Sequence, residues 1–506
     1  MIINLHDYRD KVLGCWMGKN IGAALGQPFE WKRKINDVTF YTGDITTSSL
    51  DLDIQLLWLR ALEDNGVHIG TPILSEYYQS YITAYYGQYG LTKSNMAAGL
   101  MPPLSSMTSP SRHSSGAFVR SEIWACVSPG CPEIAAVKAY HDASIDHGAG
   151  EGLYAAIFMA VIQSAAFIQD DPMTLINIGL SYIPEDCGIT QAVKCVIESH
   201  KNDMTWLEAR DKVLEEHRGH YTTHDGAISQ RDWDYDLADG EKGYDAPCNI
   251  GMIIIGWLYG EGDFARSICT TVNCGEDTDS NAGSLGALLG IIDGNDLIPK
   301  DWSNPIGRNI TTKMIEIFDV KHIPKTIDEL TARTERLAKI MLLTFRSDVD
   351  INSNKSTKVS QTELSQLQNT AMREKILRNQ FGPIYDNGII TCALDYKSDG
   401  YIEPGGTAQV SLKLSCKLKH SLLLSIKWYV PKGFKIEPVA NGLLRCPSGG
   451  QETEAHDFYI VAEGSVALTN RFVIEITSPG RHMVALIPVI LLDGSLIDAS
   501  PHERTE

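Results

Sequence analysis

Positive charge is scarce in this chain: 44 Lys and Arg stand against 63 Asp and Glu, a formal net charge of −19 over 506 residues. A surface of that sign repels phosphate backbones and anionic headgroups, which speaks against nucleic-acid partners and membrane adhesion. Uninterrupted apolar runs of membrane-spanning length are missing too. The opening MIINLHDYRDKVLGCWMGKN has acidic residues early and lacks the apolar core of a secretory signal. There is no CxxC pair, which argues against a zinc ribbon, and no internal repeat. The 11 cysteines are odd in number, scattered, and mostly set in apolar runs (Cys15, Cys126, Cys195, Cys269). That pattern is expected of reduced, buried thiols in a cytoplasm, not of a disulfide framework.

Apolar residues are plentiful, at 43 %, and the length implies about two to four domains. Residues 1–345 read as helical. GLYAAIFMAVIQSAAFI (152–168), QAVKCVIESH (191–200), NIGMIIIGWLYG (249–260) and ELTARTERLAKIMLLTF (329–345) place apolar residues three and four apart. Segments this apolar are expected as interior helices of a large bundle. Residues 346–380, polar and poor in aromatics, read as a linker or surface excursion. Residues 381–506 change character: VSLKLSC, LLLSIKWYV, AHDFYIVA and NRFVIEITS are short, β-branched and aromatic, with EPGG, PKG, PSGG and SPGR between them. Such punctuation predicts an antiparallel β-sandwich, immunoglobulin-like, with Trp428 in its core. Its expected roles are capping the bundle, oligomerisation or carbohydrate binding.

Four motifs carry chemistry. Gly14, Gly18, Gly22 and Gly26 fall four apart, forming a ridge on one helix face that admits a neighbouring backbone, and Gly26 and Pro28 end that helix just before Glu30. Asp51 and Asp53, preceded by Ser48 and Ser49, open an amphipathic helix. HSSGAFVR offers Ser115 and Gly116 for close approach to a ligand, and Arg120 to pair with a carboxylate or an anion; His147 precedes a long buried helix. NCGEDTDSNAGSLGALLG (273–290) sets Asp277 and Asp279 beside Thr278 and Ser280 at the head of a helix of small residues. Each acidic pair alone reads as a helix cap. If the helices pack side by side, the carboxylates converge and need cations or protons. Hard oxygen donors of this kind suit magnesium, manganese or calcium.

Together, over residues 8–345 and in order, these pieces resemble the ADP-ribosylglycohydrolase family. GKNIGAALGQPFE is similar to its opening glycine motif with a trailing Glu, SLDLDIQL to its T-D-D-T-Q motif, SGAFVR to N-G-A-x-M-R, Asp146-His147 to T-H, and GEDTDS to G-G-D-T-D-S. The resemblance implies an all-α orthogonal bundle that hydrolyses ADP-ribose from an amino acid with one or two Mg2+ or Mn2+ ions. It implies Asp277, Asp279 and Ser280 as metal ligands, with Ser49, Asp51 and Asp53 from the first motif. It implies Glu30 near metals and substrate, with Ser115, Gly116, Arg120 and His147 on the substrate side. The first motif admits two registers, Ser49-Leu50-Asp51 or Asp51-Leu52-Asp53, each losing one carboxylate. Ala23 replaces the family Asp, Ser115 the Asn, and Glu276 the second Gly; the extra acid disfavours an anionic diphosphate and favours a less charged glycoside.

The expected reaction is metal-assisted glycoside hydrolysis, with Glu30 or a metal-bound Asp such as Asp53 as base. A metal-free pair of carboxylates, hydrolysis of another glycoside or nucleoside-like metabolite, and a non-catalytic binding protein on the same fold are the alternatives. The expected partner is a small-molecule or ADP-ribosylated substrate, with a homo-oligomer possible.

Overall fold

The computed structural model describes residues 1–30, 34–42, 45, 50–85, 87–107, 109–217, 244–312, 315, 320–378, 382–397, 400–438 and 441–496. They form two compact units, Met1–Tyr89 with Ser109–Ile376, and Gly90–Thr108 with Leu377–Glu506. Among the described residues no helix is long and apolar enough to cross a membrane. All eleven cysteines are free, and only Cys131 is not buried.

The first unit is helical, as its periodicity predicts. The elements that frame the site are α1 (Leu5–Gly26), α2 (Leu50–Asn65), α3 (Glu122–Cys126), α4 (Pro132–Ala143), α5 (Glu151–Ala165), α6 (Gly188–Lys201), α7 (Trp206–His217), α8 (Ala246–Tyr259), α9 (Phe264–Asn273), α10 (Thr278–Asp293) and α11 (Ile327–Thr344). α5 and α8 are buried almost all round, the signature of helices enclosed by others. Leu153, Ile157, Phe158, Ile253 and Ile254 are fully buried; each such side chain contributes about 1.5–3 kcal/mol of transfer free energy. The N-terminal strand β1 (Ile2–Asn4) pairs in parallel with β2 (Asp350–Asn352), and Ile2 also bridges to Lys358. The segment read as linker or surface excursion thus holds a strand, followed by short helices at Gln361–Ser365 and Thr370–Leu377. Asn369 hydrogen-bonds Ser181 and Glu133.

The glycine ridge of α1 meets a second ridge on α10, and the two helices run antiparallel. A β-carbon added at Gly14 would lie 2.3 Å from the Gly290 carbonyl oxygen, at Gly18 2.0 Å from that of Gly286, at Gly22 2.0 Å from that of Ala282, and at Gly26 2.3 Å from that of Thr278. No side chain fits at these points, so backbone rests on backbone. The Thr278 hydroxyl donates to the Gly26 carbonyl at 2.8 Å, locking the register at the end that carries Glu30.

The second unit contains two five-stranded sheets. One has the order β3 (Ile384–Asp386), β4 (Ile390–Tyr396), β6 (Thr407–Cys416), β10 (His456–Ala462), β8 (Phe434–Glu437); the other has β5 (Tyr401–Ile402), β12 (Val484–Asp493), β11 (Thr469–Thr477), β7 (Leu422–Tyr429), β9 (Asn441–Cys446). All neighbours are antiparallel except β5 and β12. The strict alternation of buried and exposed residues along β7 aims Trp428 at Phe458 of the facing sheet, ring centroids 5.1 Å apart. Phe434 meets Phe472 in the same way, so the sheets form a sandwich with Trp428 in its core.

Candidate active site

The paired ridges decide where the chemistry can be. α1 ends at Gly26 and α10 begins at Thr278, so the turn after the first and the turn before the second meet. Carboxylate oxygens of Glu30, Asp277 and Asp279 all lie within 4.8 Å of one another. Asp277 is buried, whereas Glu30 and Asp279 are partly open to solvent. Three anions so close repel one another strongly wherever water is excluded. The positive end of the α10 macrodipole offsets part of this, and a bound cation or a proton would offset more. Ser280, on the first turn of α10, is buried. Three carboxylates and a hydroxyl are hard donors that fit magnesium or manganese.

The buried Asp277 is held from two sides. The Ser115 hydroxyl donates to its Oδ2 at 2.5 Å. Its backbone N–H donates to Asn249 Oδ1 at 3.1 Å, and the same oxygen receives Asn281 Nδ2 at 2.6 Å. Asp245, the N-cap of α8, accepts from the Cys248 N–H, and its carbonyl accepts from Asn249. Sequence reasoning passes over Asn249; its only signal is a polar amide heading an otherwise apolar helix. Just before Asp277, Gly275 and Glu276 have φ of 81° and 72°. Glu276 thus holds a left-handed conformation that glycine adopts freely and that costs other residues roughly 1–2 kcal/mol, and its side chain is fully buried.

Residues 114–116 tie this centre to a second network. The Ser114 hydroxyl is 3.1 Å from His147 Nε2, and His147 Nδ1 is 2.7 Å from Asp146 Oδ1. The Gly116 carbonyl accepts from Arg120. A side chain at Gly116 would collide with Gln88 Nε2 at 2.5 Å and press on His147 Cε1 at 3.3 Å. Arg120, expected on the substrate side, has no exposed surface. Its guanidinium donates twice to Asp146, at 2.9 Å each, and once to Asp142 at 3.0 Å. It therefore pairs with carboxylates of its own chain and fixes the loop, with nothing left facing a ligand. Asp142 also accepts from the indoles of Trp58 and Trp124, and Asp146 from the Tyr78 hydroxyl. Burial alone would raise the Asp146 pKa; Arg120, His147 and their hydrogen bonds outweigh it and hold the carboxyl well below its usual range. His147 is likewise fully buried, its ring orientation set by Asp146 and Ser114.

The first acidic motif is only partly visible. Ser49 and the side chain of Asp51 lie outside the described residues. Asp53 is buried on α2 and is not one of the 4.8 Å trio. Two residues on, Gln55 donates to Glu122 Oε2 at 2.7 Å and accepts from the Ile123 N–H. Glu122 Oε1 in turn pairs with Lys19 Nζ at 3.1 Å, both side chains fully buried, and Lys19 reaches Ser284 Oγ. This network joins α2, which carries Asp51 and Asp53, to both glycine-ridge helices.

No curated protein sequence matches the chain. Among solved structures, the FixG-related protein from Vibrio parahaemolyticus is similar over 21 % of this chain and 96 % of its own, at 6 % identity and a TM-score of 0.17; a likeness so slight assigns neither fold nor activity. A family profile described as ADP-ribosylglycohydrolase matches residues 4–338, which takes in the glycine ridges, Glu30, the 114–116 loop, His147 and the Asp277–Asp279 pair. The chain belongs to the ADP-ribosylglycohydrolase family.

Proposed function

We propose that this protein hydrolyses a ribosyl or related glycosyl bond at the centre formed by Glu30, Asp277 and Asp279, with one or two magnesium or manganese ions as cofactor. The observation that carries this reading is the meeting of those three carboxylates, one from the turn after α1 and two from the head of α10. Asp277, Asp279 and Ser280 would hold the cation, with Ser49, Asp51 and Asp53 contributing from the head of α2. When bound, it would acidify a water and orient sugar hydroxyls. Glu30, partly open to solvent, would take a proton from that water. Carboxylates around the anomeric carbon would stabilise its developing positive charge. Ser115 keeps Asp277 aimed at the centre, and Ser114 and Asp146 keep the Cε1 edge of His147 toward Gly116, where the substrate would lie.

A second reading keeps the reaction and changes the substrate. Glu276 brings a fourth acid next to Asp277, and a diphosphate would be repelled by that proximity. A less anionic glycoside or nucleoside-like metabolite would not. The test is one panel: ADP-ribosyl-arginine, ADP-ribosyl-serine, O-acetyl-ADP-ribose and simple glycosides, each assayed before and after EDTA treatment. Turnover that disappears on chelation and returns with magnesium supports the metal centre; full turnover by stripped protein rules it out. The compounds that are cleaved choose between the two substrates. If none is cleaved and calorimetry detects neither divalent cation nor nucleotide, the chain is a non-catalytic member of its family.

A further inference from the structure

Away from the acidic centre, the described residues hold one more place where metal-ligating side chains converge. Cys195 on α6 meets Glu216 and His217 at the end of α7, with ligand atoms of all three within 4.8 Å of one another. Cys195 and His217 are each 4 % exposed, whereas the Glu216 side chain is 47 % exposed. Two donors are thus fixed by packing and the third opens to solvent. A thiolate, an imidazole and a carboxylate are the donor types that zinc takes together, commonly three from the protein with a water in the fourth place. Magnesium and calcium, which take oxygen donors, are poor matches for a sulfur and a nitrogen.

Glu216 and His217 are the last described residues of α7. Lys212 stands 3.8 Å from Glu216; as a half-exposed side chain on a flexible stem it can swing aside at little cost. α7 is tied elsewhere too, Arg210 Nε donating to the Cys274 carbonyl at 2.6 Å, three residues before Asp277.

We propose that Cys195, Glu216 and His217 bind one zinc ion, with its remaining position open to water on the Glu216 side, and that this ion pins the end of α7 to α6. Binding forms a sulfur–zinc bond and releases the thiol proton to solvent; no oxidation state changes. The site is separate from the acidic centre in ligands and in preferred metal, so it stands whether or not the proposed hydrolysis is correct.

The test uses the full chain, stripped with chelator and titrated with Co2+ in excess Mg2+, which occupies the oxygen-donor centre. The expected result is a thiolate-to-cobalt charge-transfer band that saturates at one equivalent and is displaced by zinc. Cys195→Ser should abolish the band, and His217→Ala should weaken cobalt binding at least about tenfold. Absence of the band in the unmodified protein, or its persistence in Cys195→Ser, overturns the site. Because Cys195 and His217 are buried and their variants risk misfolding, Glu216→Gln is the control. It should lower affinity roughly tenfold while leaving the unfolding midpoint of the metal-free protein unchanged, and unaltered affinity would overturn the three-ligand set.

Discussion

The hydroxyl of Ser115 donates to Asp277 Oδ2 at 2.5 Å, across 162 positions of sequence. In that family motif an Asn stands where this chain has Ser, and here the shorter side chain holds a carboxylate. Ser115→Ala removes a hydrogen bond to a charged group and lets Asp277 swing. We expect magnesium affinity and kcat/KM to fall about 10–100-fold, with thermal stability changed little. Calorimetric titration of Mg2+ alongside steady-state kinetics checks this.

Glu30 is expected to show opposite signs in stability and in activity, and Asp279 to control the response to Mg2+. In metal-free protein, Glu30→Gln relieves repulsion among three close carboxylates and should raise stability by about 1 kcal/mol. Turnover should fall on the order of 100-fold or more as the proposed base is lost. Saturating Mg2+ should stabilise the unmodified protein by about 2.7 kcal/mol at a hundred times Kd, and Asp279→Asn should abolish most of that gain. Denaturant melts with and without Mg2+ read both effects.

The glycine contacts set a steric test. At Gly286 an added β-carbon would lie 2.3 Å from the Gly18 carbonyl oxygen, so Gly286→Ala must force the two helices apart. A loss of about 3 kcal/mol is expected, together with a fall in metal affinity because Glu30 and Asp279 separate. Gly464 is the comparison, since a β-carbon added there would meet nothing within 4 Å: Gly464→Ala should stay within about 0.5 kcal/mol.

His141 gives a pH dependence with a definite sign. Burial, aided by Lys138, pushes its pKa down from 6.5 to about 3; its Nδ1 sits 3.0 Å from the Thr71 hydroxyl. Between those values the unfolded chain binds a proton that the folded one refuses. Its contribution to stability is therefore complete above pH 6.5 and is lost as pH falls toward 3, at up to about 1.4 kcal/mol per pH unit. His141→Asn should flatten the stability profile between about pH 6 and 5, which urea melts across that range will show.

Much of this molecule is legible in its sequence because two simple periods dominate it. Apolar residues three and four apart announce the bundle, and alternation in LLLSIKWYV announces the sandwich. The ridge at Gly14, Gly18, Gly22 and Gly26 signals a close helix partner, and the small residues at 282, 286 and 290 turn out to be that partner. Side chains whose role depends on distant partners are harder to read. Arg120 reads as available for an anion because Asp142 and Asp146 are far from it in sequence. Nothing local to Lys19 shows that it pairs with Glu122, 103 positions away, in the interior. Asn249 gives only a weak signal, since nothing local shows that its amide supports Asp277.

The antiparallel fit of α1 and α10 also has a consequence during synthesis. Gly26 and Thr278, which clasp at the centre, are 252 positions apart. On a ribosome α1 emerges early and cannot find its partner until the chain has been translated through α10, which ends at Asp293. A product that ends before Asp277 therefore lacks both acids of the proposed centre and leaves the glycine ridge of α1 without its partner.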